Sequence, residues 1–314
     1  MGGAVSRGGG LGMLCGLAGG QMNEIVLRKW QAEAFPLVVE SVKARKQPVI
    51  SAFMGSGKIL LCAYVLQQSR TIEGRSAVIA APSVDLVNQL AATFRKVLGD
   101  EAVGRWFGSS KQWDRRVVVT TYQSLPTLVE RWKSAGRRAS LLVCDECHKT
   151  GAETWKAGIE ALEALNRGAD GRGHLARIGL TATPFRTSTK ETLDLWNEII
   201  YRYTSADGIR DGVIVPWRVE RWGGEGRGKE DVDGICLDMI RSKGVFPVLA
   251  NAADIEDAEA FAAYLTAAGV EARAVHSELS DAVIGERKSA LKTGDLKVLV
   301  HVNMLSEGVD LPWL

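Results

Sequence analysis

The chain has 314 residues, 46% of them hydrophobic and 24% charged, and carries a formal net charge of +2. That is enough apolar material for two cores, no apolar run reaches the ~20 residues of a membrane span, and the near-neutral balance neither demands nor excludes an anionic partner. The five cysteines, Cys15, Cys62, Cys144, Cys147 and Cys236, are scattered and read as free thiols of a reducing, cytoplasmic compartment rather than as a disulfide framework.

Residues 1–21 are mostly glycine and small apolar residues, with one positive charge at Arg7. The stretch 11–18 is short and broken by glycine, so residues 1–21 are expected to form a disordered tail rather than a signal sequence. Farther on, residues 49–52 read as a buried strand and 59–68 as a helix, with Phe53-Met54-Gly55-Ser56-Gly57-Lys58 between them. Gly55 and Gly57 allow the backbone to curl with its N–H groups inward, and the helix N-terminus adds positive dipole at the same point. Lys58 adds a full charge, so the segment suits a phosphate.

Further strand candidates at 77–81, 117–121, 141–145 and 178–181 are separated by helical stretches, the βα pattern of a parallel sheet. The apolar run 139–144 delivers Asp145 and Glu146 at its C-terminal end, where open parallel sheets bind ligands. One carboxylate can hold Mg2+, directly or through water, while the other orients and deprotonates an attacking water. Phosphate loop and acid pair together describe a nucleoside triphosphate site. Cys144 and Cys147 flank the acids as C-x-x-C, but without a second pair the spacing does not indicate zinc.

Residues 187–203 read as a helix closing a first domain, and 223–229 as a flexible loop. From about residue 230 the alternation resumes, with a helix through 239, a strand at 246–250, a helix at 255–268 and strands at 272–275 and 297–302. His276, after the 272–275 strand, reads as a surface histidine. Arg115, Arg116, Arg131, Lys133, Arg137 and Arg138 bracket the 117–121 strand and its following helix, as a solvated face or a phosphate-contacting one.

Asp145-Glu146-Cys147-His148 after a phosphate loop resembles motif II of the superfamily 2 helicases and translocases. Other segments resemble that family's motifs in the family's order. Leu27-Arg28-Lys29-Trp30-Gln31 is similar to the Leu-Arg-x-x-Gln element, and Ala81-Pro82-Ser83, with Leu86, Val87 and Gln89, to motif Ia. Val119-Thr120-Thr121-Tyr122-Gln123-Ser124-Leu125 resembles the next strand-end motif, and Gly179-Leu180-Thr181-Ala182-Thr183-Pro184 resembles motif III. Asn303 to Pro312 resembles motif V of excision-repair and restriction-type helicases. The likeness runs from about Glu24 to Leu314.

The resemblance implies an α/β chain of two RecA-like P-loop domains with parallel sheets, the second incomplete at its C-terminus. Residues 22–206 would be the ATP-binding domain, 207–229 the connector and 230–314 a partial C-terminal domain. ATP and Mg2+ are the implied cofactors. Arg28, Gln31, Gly55, Ser56, Gly57, Lys58 and Ile59 would hold the nucleotide from the first domain, with Gln31 at the adenine edge, and Gly308 and Asp310 from the second. Catalysis would fall to Lys58, Asp145 and Glu146, with Asp145 on the metal, and coupling to His148, Thr181 and Thr183. Pro82, Ser83, Thr120 and Thr121 would contact the phosphates of a nucleic-acid strand, which positions it without reading sequence. DNA is preferred to RNA because the motif V and Leu-Arg-x-x-Gln forms resemble those of repair and restriction enzymes.

Two departures qualify the expected activity. Where the family has Thr or Ser after the loop lysine, with a hydroxyl on Mg2+, this chain has Ile59, which offers no oxygen. Nucleotide binding is therefore expected to be weakened and hydrolysis more so. Motif VI, with its phosphate-stabilising arginines, is expected a few tens of residues beyond motif V, yet the sequence stops at Leu314. Loss of such an arginine costs on the order of 10³ to 10⁵ in rate in related chemistry, and an incomplete sheet would call for a protein partner. The alternative is a catalytically weak or inactive nucleic-acid-binding subunit that retains the helicase fold.

Overall fold

Strands buried at nearly every position require helices on both faces of their sheet, and the computed structural model has that arrangement. It describes residues 25–68, 76–167, 173–184, 193, 195–218 and 229–303. In chain order, α1 (Lys29–Lys43) leads into β1 (Pro48–Ala52), α2 (Lys58–Gln68), β2 (Ser76–Ala81), α3 (Val84–Leu98), β3 (Val103–Phe107) and β4 (Ser110–Lys111). There follow β5 (Val117–Thr121), α4 (Leu125–Ser134), β6 (Ala139–Cys144), α5 (Glu153–Arg167), β7 (Ala176–Thr181), β8 (Glu198–Tyr203) and α6 (Ser205–Arg210). The remaining elements are α7 (Lys229–Lys243), β9 (Val248–Asn251), α8 (Ile255–Ala267), β10 (Ala272–Val275), α9 (Asp281–Thr293) and β11 (Val298–His301).

The large sheet has the order β4-β3-β5-β2-β6-β7-β1-β8 and is parallel except where β4 turns back on β3. Alternate residues serve opposite faces, as strand geometry requires. Ile50, Ile79, Val119, Val143 and Ile178 pack with Ala34, Leu61 and Phe94 of α1, α2 and α3. Val49, Val78, Val118 and Leu142 pack with Leu128, Trp132, Ile159 and Leu162 of α4 and α5. At roughly 1.5–3 kcal/mol for each fully buried large apolar side chain, this double burial is the main source of stability. It also leaves the C-terminal ends of the parallel strands as the open edge of the sheet.

A smaller parallel sheet, β10-β11-β9, carries Leu237 and Ile240 of α7 and Ala262 and Leu265 of α8 against one face. Its other face packs Val275 and Leu299 against Leu291 of α9. The edge strand β9 is only half-buried along its length. Two sheets of this kind agree with the RecA-like α/β architecture expected from the motifs. Among the described residues, no helix is long and apolar enough to cross a membrane.

The expected helix over 187–203 is corrected by β8, which pairs in parallel with β1, Val49 opposite Ile199 and Ala52 opposite Tyr203. Its sequence Glu-Ile-Ile-Tyr-Arg-Tyr is rich in β-branched and aromatic residues. Pairing with β1 and stacking of Tyr203 on Trp30, centroids 5.0 Å apart, override any local helical preference. Residues 185–192 lie outside the described ones. The β3–β4 hairpin and α9 had no counterpart in the sequence reading.

Candidate functional site

The phosphate loop leaves β1 at Ala52 and enters α2 at Lys58, and two of its residues need conformations that L side chains rarely adopt: Gly55 at φ +75° and Gly57 at φ +94°. At Gly57 a Cβ would also lie 2.7 Å from Nε2 of Gln31, so this glycine is required twice over. The start of α1 grips the loop from behind. Nε1 of Trp30 and Nη1 of Arg28 both donate to the Ser56 carbonyl, at 3.2 and 3.1 Å. Nε2 of Gln31 donates to the Gly57 carbonyl at 2.9 Å. Because C=O and N–H point in opposite directions across a trans peptide, the N–H groups of Gly57 and Lys58 face away from α1.

Gln31 is fully buried, and its oxygen accepts the Arg28 N–H at 2.7 Å. Both ends of its carboxamide are thus engaged with protein, as a brace beneath the loop. Nζ of Lys58 donates to the carbonyls of Ala52 (2.8 Å) and Phe53 (3.2 Å). Burial lowers the Lys58 pKa, with Asp145 and Glu146 acting in the opposite direction.

Asp145 leaves β6 with its N–H bonded to the Ala80 carbonyl at 2.9 Å, while its own carbonyl accepts the Tyr122 hydroxyl at 2.8 Å. Its side chain is 5% exposed. Burial, reinforced by Glu146 and opposed by Lys58, pushes the Asp145 carboxyl up to about 6. Glu146 turns the chain through the left-handed region at φ 50° into the short 3-10 turn Cys147–Gly151. His148 Nδ1 lies 3.4 Å from Glu146 Oε2 and 2.9 Å from Thr181 Oγ1. Thr181 Oγ1 in turn accepts the Thr183 N–H at 3.0 Å. The three residues implied in coupling are therefore joined by hydrogen bonds, and His148 also lies beside the Glu146 carboxylate.

Gly55, Gly57, Lys58, Ile59, Asp145 and Glu146 line one open cleft, together with Met54, Leu60, Leu86, Gln89, Leu90 and Thr93. The loop lysine and the acid pair, 87 positions apart in the chain counting from Lys58 to Asp145, thus share a single space. Ile59 faces that space with hydrocarbon.

The family described as "Type III restriction enzyme, res subunit" matches residues 24–186, just over half of the chain. The chain belongs to this family. A 55-residue segment is 46% identical to UvrABC system protein B of Kosmotoga olearia, over 18% of this chain and 8% of that protein. An 81-residue segment is 35% identical to the type I restriction enzyme EcoAI endonuclease subunit of Escherichia coli, over 26% of this chain and 9% of that one. These matches span less than a tenth of each relative's length.

Among solved structures, the fold resembles the ATP-dependent type ISP restriction-modification enzyme LlaBIII bound to DNA, at TM-score 0.68 and 16% identity, over 92% of this chain and 25% of that one. It also resembles S. cerevisiae Dbp5 bound to RNA and ADP BeF3, at TM-score 0.59 and 16% identity, over 91% and 72% of the two chains. The res-subunit family relationship and these neighbours make this a superfamily 2 helicase-like protein with the fold of that group.

Within this res-subunit domain the residues implied in strand contact divide. Ser83 is exposed and caps α3, its Oγ accepting the Leu86 N–H at 3.3 Å, beside half-buried Pro82. Thr121 caps the turn after β5, its Oγ1 accepting the Ser124 N–H at 3.2 Å. Thr120 is a correction: it is fully buried, and its hydroxyl donates inward to the Trp106 carbonyl at 2.7 Å, so that side chain cannot meet a ligand. Gly308 and Asp310 lie outside the described residues.

Arg115 and Arg116 precede β5, Arg137 and Arg138 precede β6, and Arg131 and Lys133 end α4. The basic cluster therefore sits at the N-terminal edge of the sheet, away from the cleft. Much of it is spoken for: Arg115 pairs with Glu101, Arg131 stacks 4.1 Å over Trp113, and Arg137 Nε donates to Ser76 Oγ at 2.7 Å. His276, expected at the surface, is 6% exposed and lies 3.0 Å from Glu259 Oε1. Trp30, Tyr122 and Gly179 also bear on the site, each inside a motif segment but with no role assigned to it from the sequence. The Leu-Arg-x-x-Gln element was the signal available for Trp30, which sits inside it.

Proposed function

We propose that this chain is the nucleotide-binding and strand-contacting part of a superfamily 2 motor acting on nucleic acid, DNA in preference to RNA, with its ATP hydrolysis impaired by Ile59. The observation that carries this reading is the single cleft shared by the phosphate loop, Lys58 and the two acids. In it Lys58 would leave the Ala52 and Phe53 carbonyls for the outer phosphates. Glu146 would orient the attacking water, with His148 and Thr181 linking that water to the strand-end loop at Thr183. Residues 22–206 would form the ATP-binding domain, 207–229 the connector and 230–314 part of a second domain. Buried, free Cys62, Cys144 and Cys147 agree with a reducing, cytoplasmic setting.

Mg2+ is where the donor set falls short. Asp145 and Glu146 offer carboxylates, but Ile59 presents hydrocarbon where the family has a hydroxyl. The residues do not fit the metal in the family's manner.

Support for a strand ligand comes from the printed states of the neighbours: LlaBIII bound to DNA, and Mycobacterium smegmatis Lhr bound to ssDNA and AMP-PNP. Dbp5 is bound to RNA, so the preference for DNA rests on the restriction and repair relatives. Titrating labelled single- and double-stranded DNA and RNA, with and without ATP, beside a phosphate-release assay tests the proposal. DNA binding with slow release supports it, and absence of both strand and nucleotide binding refutes it. Ile59 also favours the second reading, a non-catalytic nucleic-acid-binding subunit, for which binding with no release at all is the expected result.

A further inference from the structure

We propose that the cleft takes its nucleotide without a metal ion and holds a nucleoside diphosphate in preference to a triphosphate. This deepens the nucleotide reading of the same site and rests on it. On one wall the N–H groups of Gly57 and Lys58, the N-terminus of α2 and the Lys58 ammonium supply positive potential. Asp145 and Glu146 supply negative charge on the other. Hydrocarbon from Ile59, Leu60, Leu86 and Leu90 lines the same space.

A divalent ion normally reconciles a phosphate chain with facing carboxylates. Mg2+ does so with six near-octahedral oxygens at about 2.1 Å, and it gives up water reluctantly. The residue after the loop lysine contributes one of those oxygens in the related enzymes, and here it is Ile59. That side chain is partly buried against the core beneath α2 and also lines the cleft, so the surface it offers there is hydrocarbon. Asp145 and Glu146 are left to hold the ion with waters and phosphate oxygens alone, without the protein hydroxyl that would fix it beside the loop.

The consequence for the nucleotide follows from charge. The contacts available to the phosphates nearest the loop are backbone N–H groups and one ammonium, none of which requires a metal. A third phosphate reaching from the loop toward Asp145 and Glu146 would meet two like charges with the single Lys58 ammonium to offset them. A diphosphate stops short of that repulsion. The favoured occupant is therefore the metal-free diphosphate.

Calorimetric titration of the 314-residue chain with ADP and with ATP, each in magnesium and in EDTA, tests this. ADP affinity is expected to differ by less than about threefold between the two buffers, with ATP about tenfold or more weaker than ADP in EDTA. Ile59→Thr, checked for folding by its thermal melt, is expected to make ADP binding tighten about tenfold or more on adding magnesium. Wild-type ADP binding that already tightens about tenfold with magnesium overturns the proposal while leaving the nucleotide site standing. So does ATP binding as tightly as ADP in EDTA, or a folded Ile59→Thr protein that stays indifferent to magnesium. Absence of binding by either nucleotide in both buffers removes the nucleotide reading itself.

Discussion

Trp30 lies flat on Tyr203, ring centroids 5.0 Å apart and planes 14° from parallel, while its indole N–H reaches the Ser56 carbonyl at 3.2 Å. One side chain thus joins the phosphate loop to β8, the strand the sequence had concealed. Tyr203 also stacks on Phe53, the first residue of the loop, at 5.3 Å. Trp30→Ala should cost about 3–5 kcal/mol of stability, as for other buried aromatics truncated to alanine. Trp30→Phe keeps most of the stack and loses the hydrogen bond, for about 1 kcal/mol. Urea unfolding gives both values. An ADP titration of the phenylalanine variant should show weaker binding, because the Ser56 carbonyl has lost one of its two anchors.

Asp145 trades stability for chemistry. Its carboxyl titrates at about 6 in the fold against an ordinary value of 3.8, so the folded chain binds the extra proton between those limits. Stability contributed by this group is present below about pH 4, falls as pH rises through 6, and stays low above it. Asp145→Asn should remove that slope and raise the melting temperature at pH 7 by a few degrees, since the two-unit shift corresponds to a penalty on the order of 3 kcal/mol. Phosphate release should disappear in the same variant. A variant less stable than wild type at pH 7 and unchanged at pH 4 would contradict the burial argument.

Gly179 sits in β7 directly behind the acid-bearing turn. A Cβ there would lie 2.8 Å from Cys147 Sγ and 3.1 Å from both Trp196 and Val49. All of these are held in the core, so Gly179→Ala should destabilise by roughly 1–3 kcal/mol through overpacking. The strain falls on Cys147, next to Glu146 and His148, and nucleotide affinity should drop with it. Thermal melts and ADP titration together distinguish this from a silent surface change.

Thr181→Val removes the hydroxyl that His148 meets at 2.9 Å and that accepts the Thr183 N–H at 3.0 Å, with little change of shape. The buried His148 ring loses a partner, at about 1–3 kcal/mol, while the N–H of exposed Thr183 can turn to water. If this chain of contacts couples nucleotide to strand, basal phosphate release should fall less than its stimulation by DNA. Equal loss of both would assign Thr181 a packing role only.

Reversing charge at Lys133 and Arg138 should leave DNA affinity within about twofold and its salt dependence unchanged, because both residues lie at the edge of the sheet away from the cleft. A reduced salt slope in a filter-binding series would instead mark that edge as a second phosphate-contacting surface.

Lys58, Asp145, Glu146, Thr181 and Thr183 were legible in the sequence because each ends or follows a strand with a strong apolar pattern, and local spacing carries that signal. Their convergence was legible as well, since parallel strands deliver their C-terminal ends to one edge. Less could be read where long-range partners decide. β8 is a strand because β1 and Trp30 receive it, and neither is near it in the chain. Thr120 and Thr121 are adjacent and alike, yet the pleat sends one hydroxyl into the core and leaves the other to cap a turn. Gln31 carries the same amide in either role, and only the position of Gly57 against it shows that the amide braces the loop.

By itself, then, the amino-acid sequence determined the α/β class, the motif-bearing strands of the parallel sheet and the residue types that meet a phosphate. These depend on periodicity and on glycine conformations, which are local. The tertiary structure alone decided which side chains are free to act. That depends on burial and on hydrogen bonds closed by residues far apart in the chain, such as Ser56 with Trp30 or Thr181 with His148.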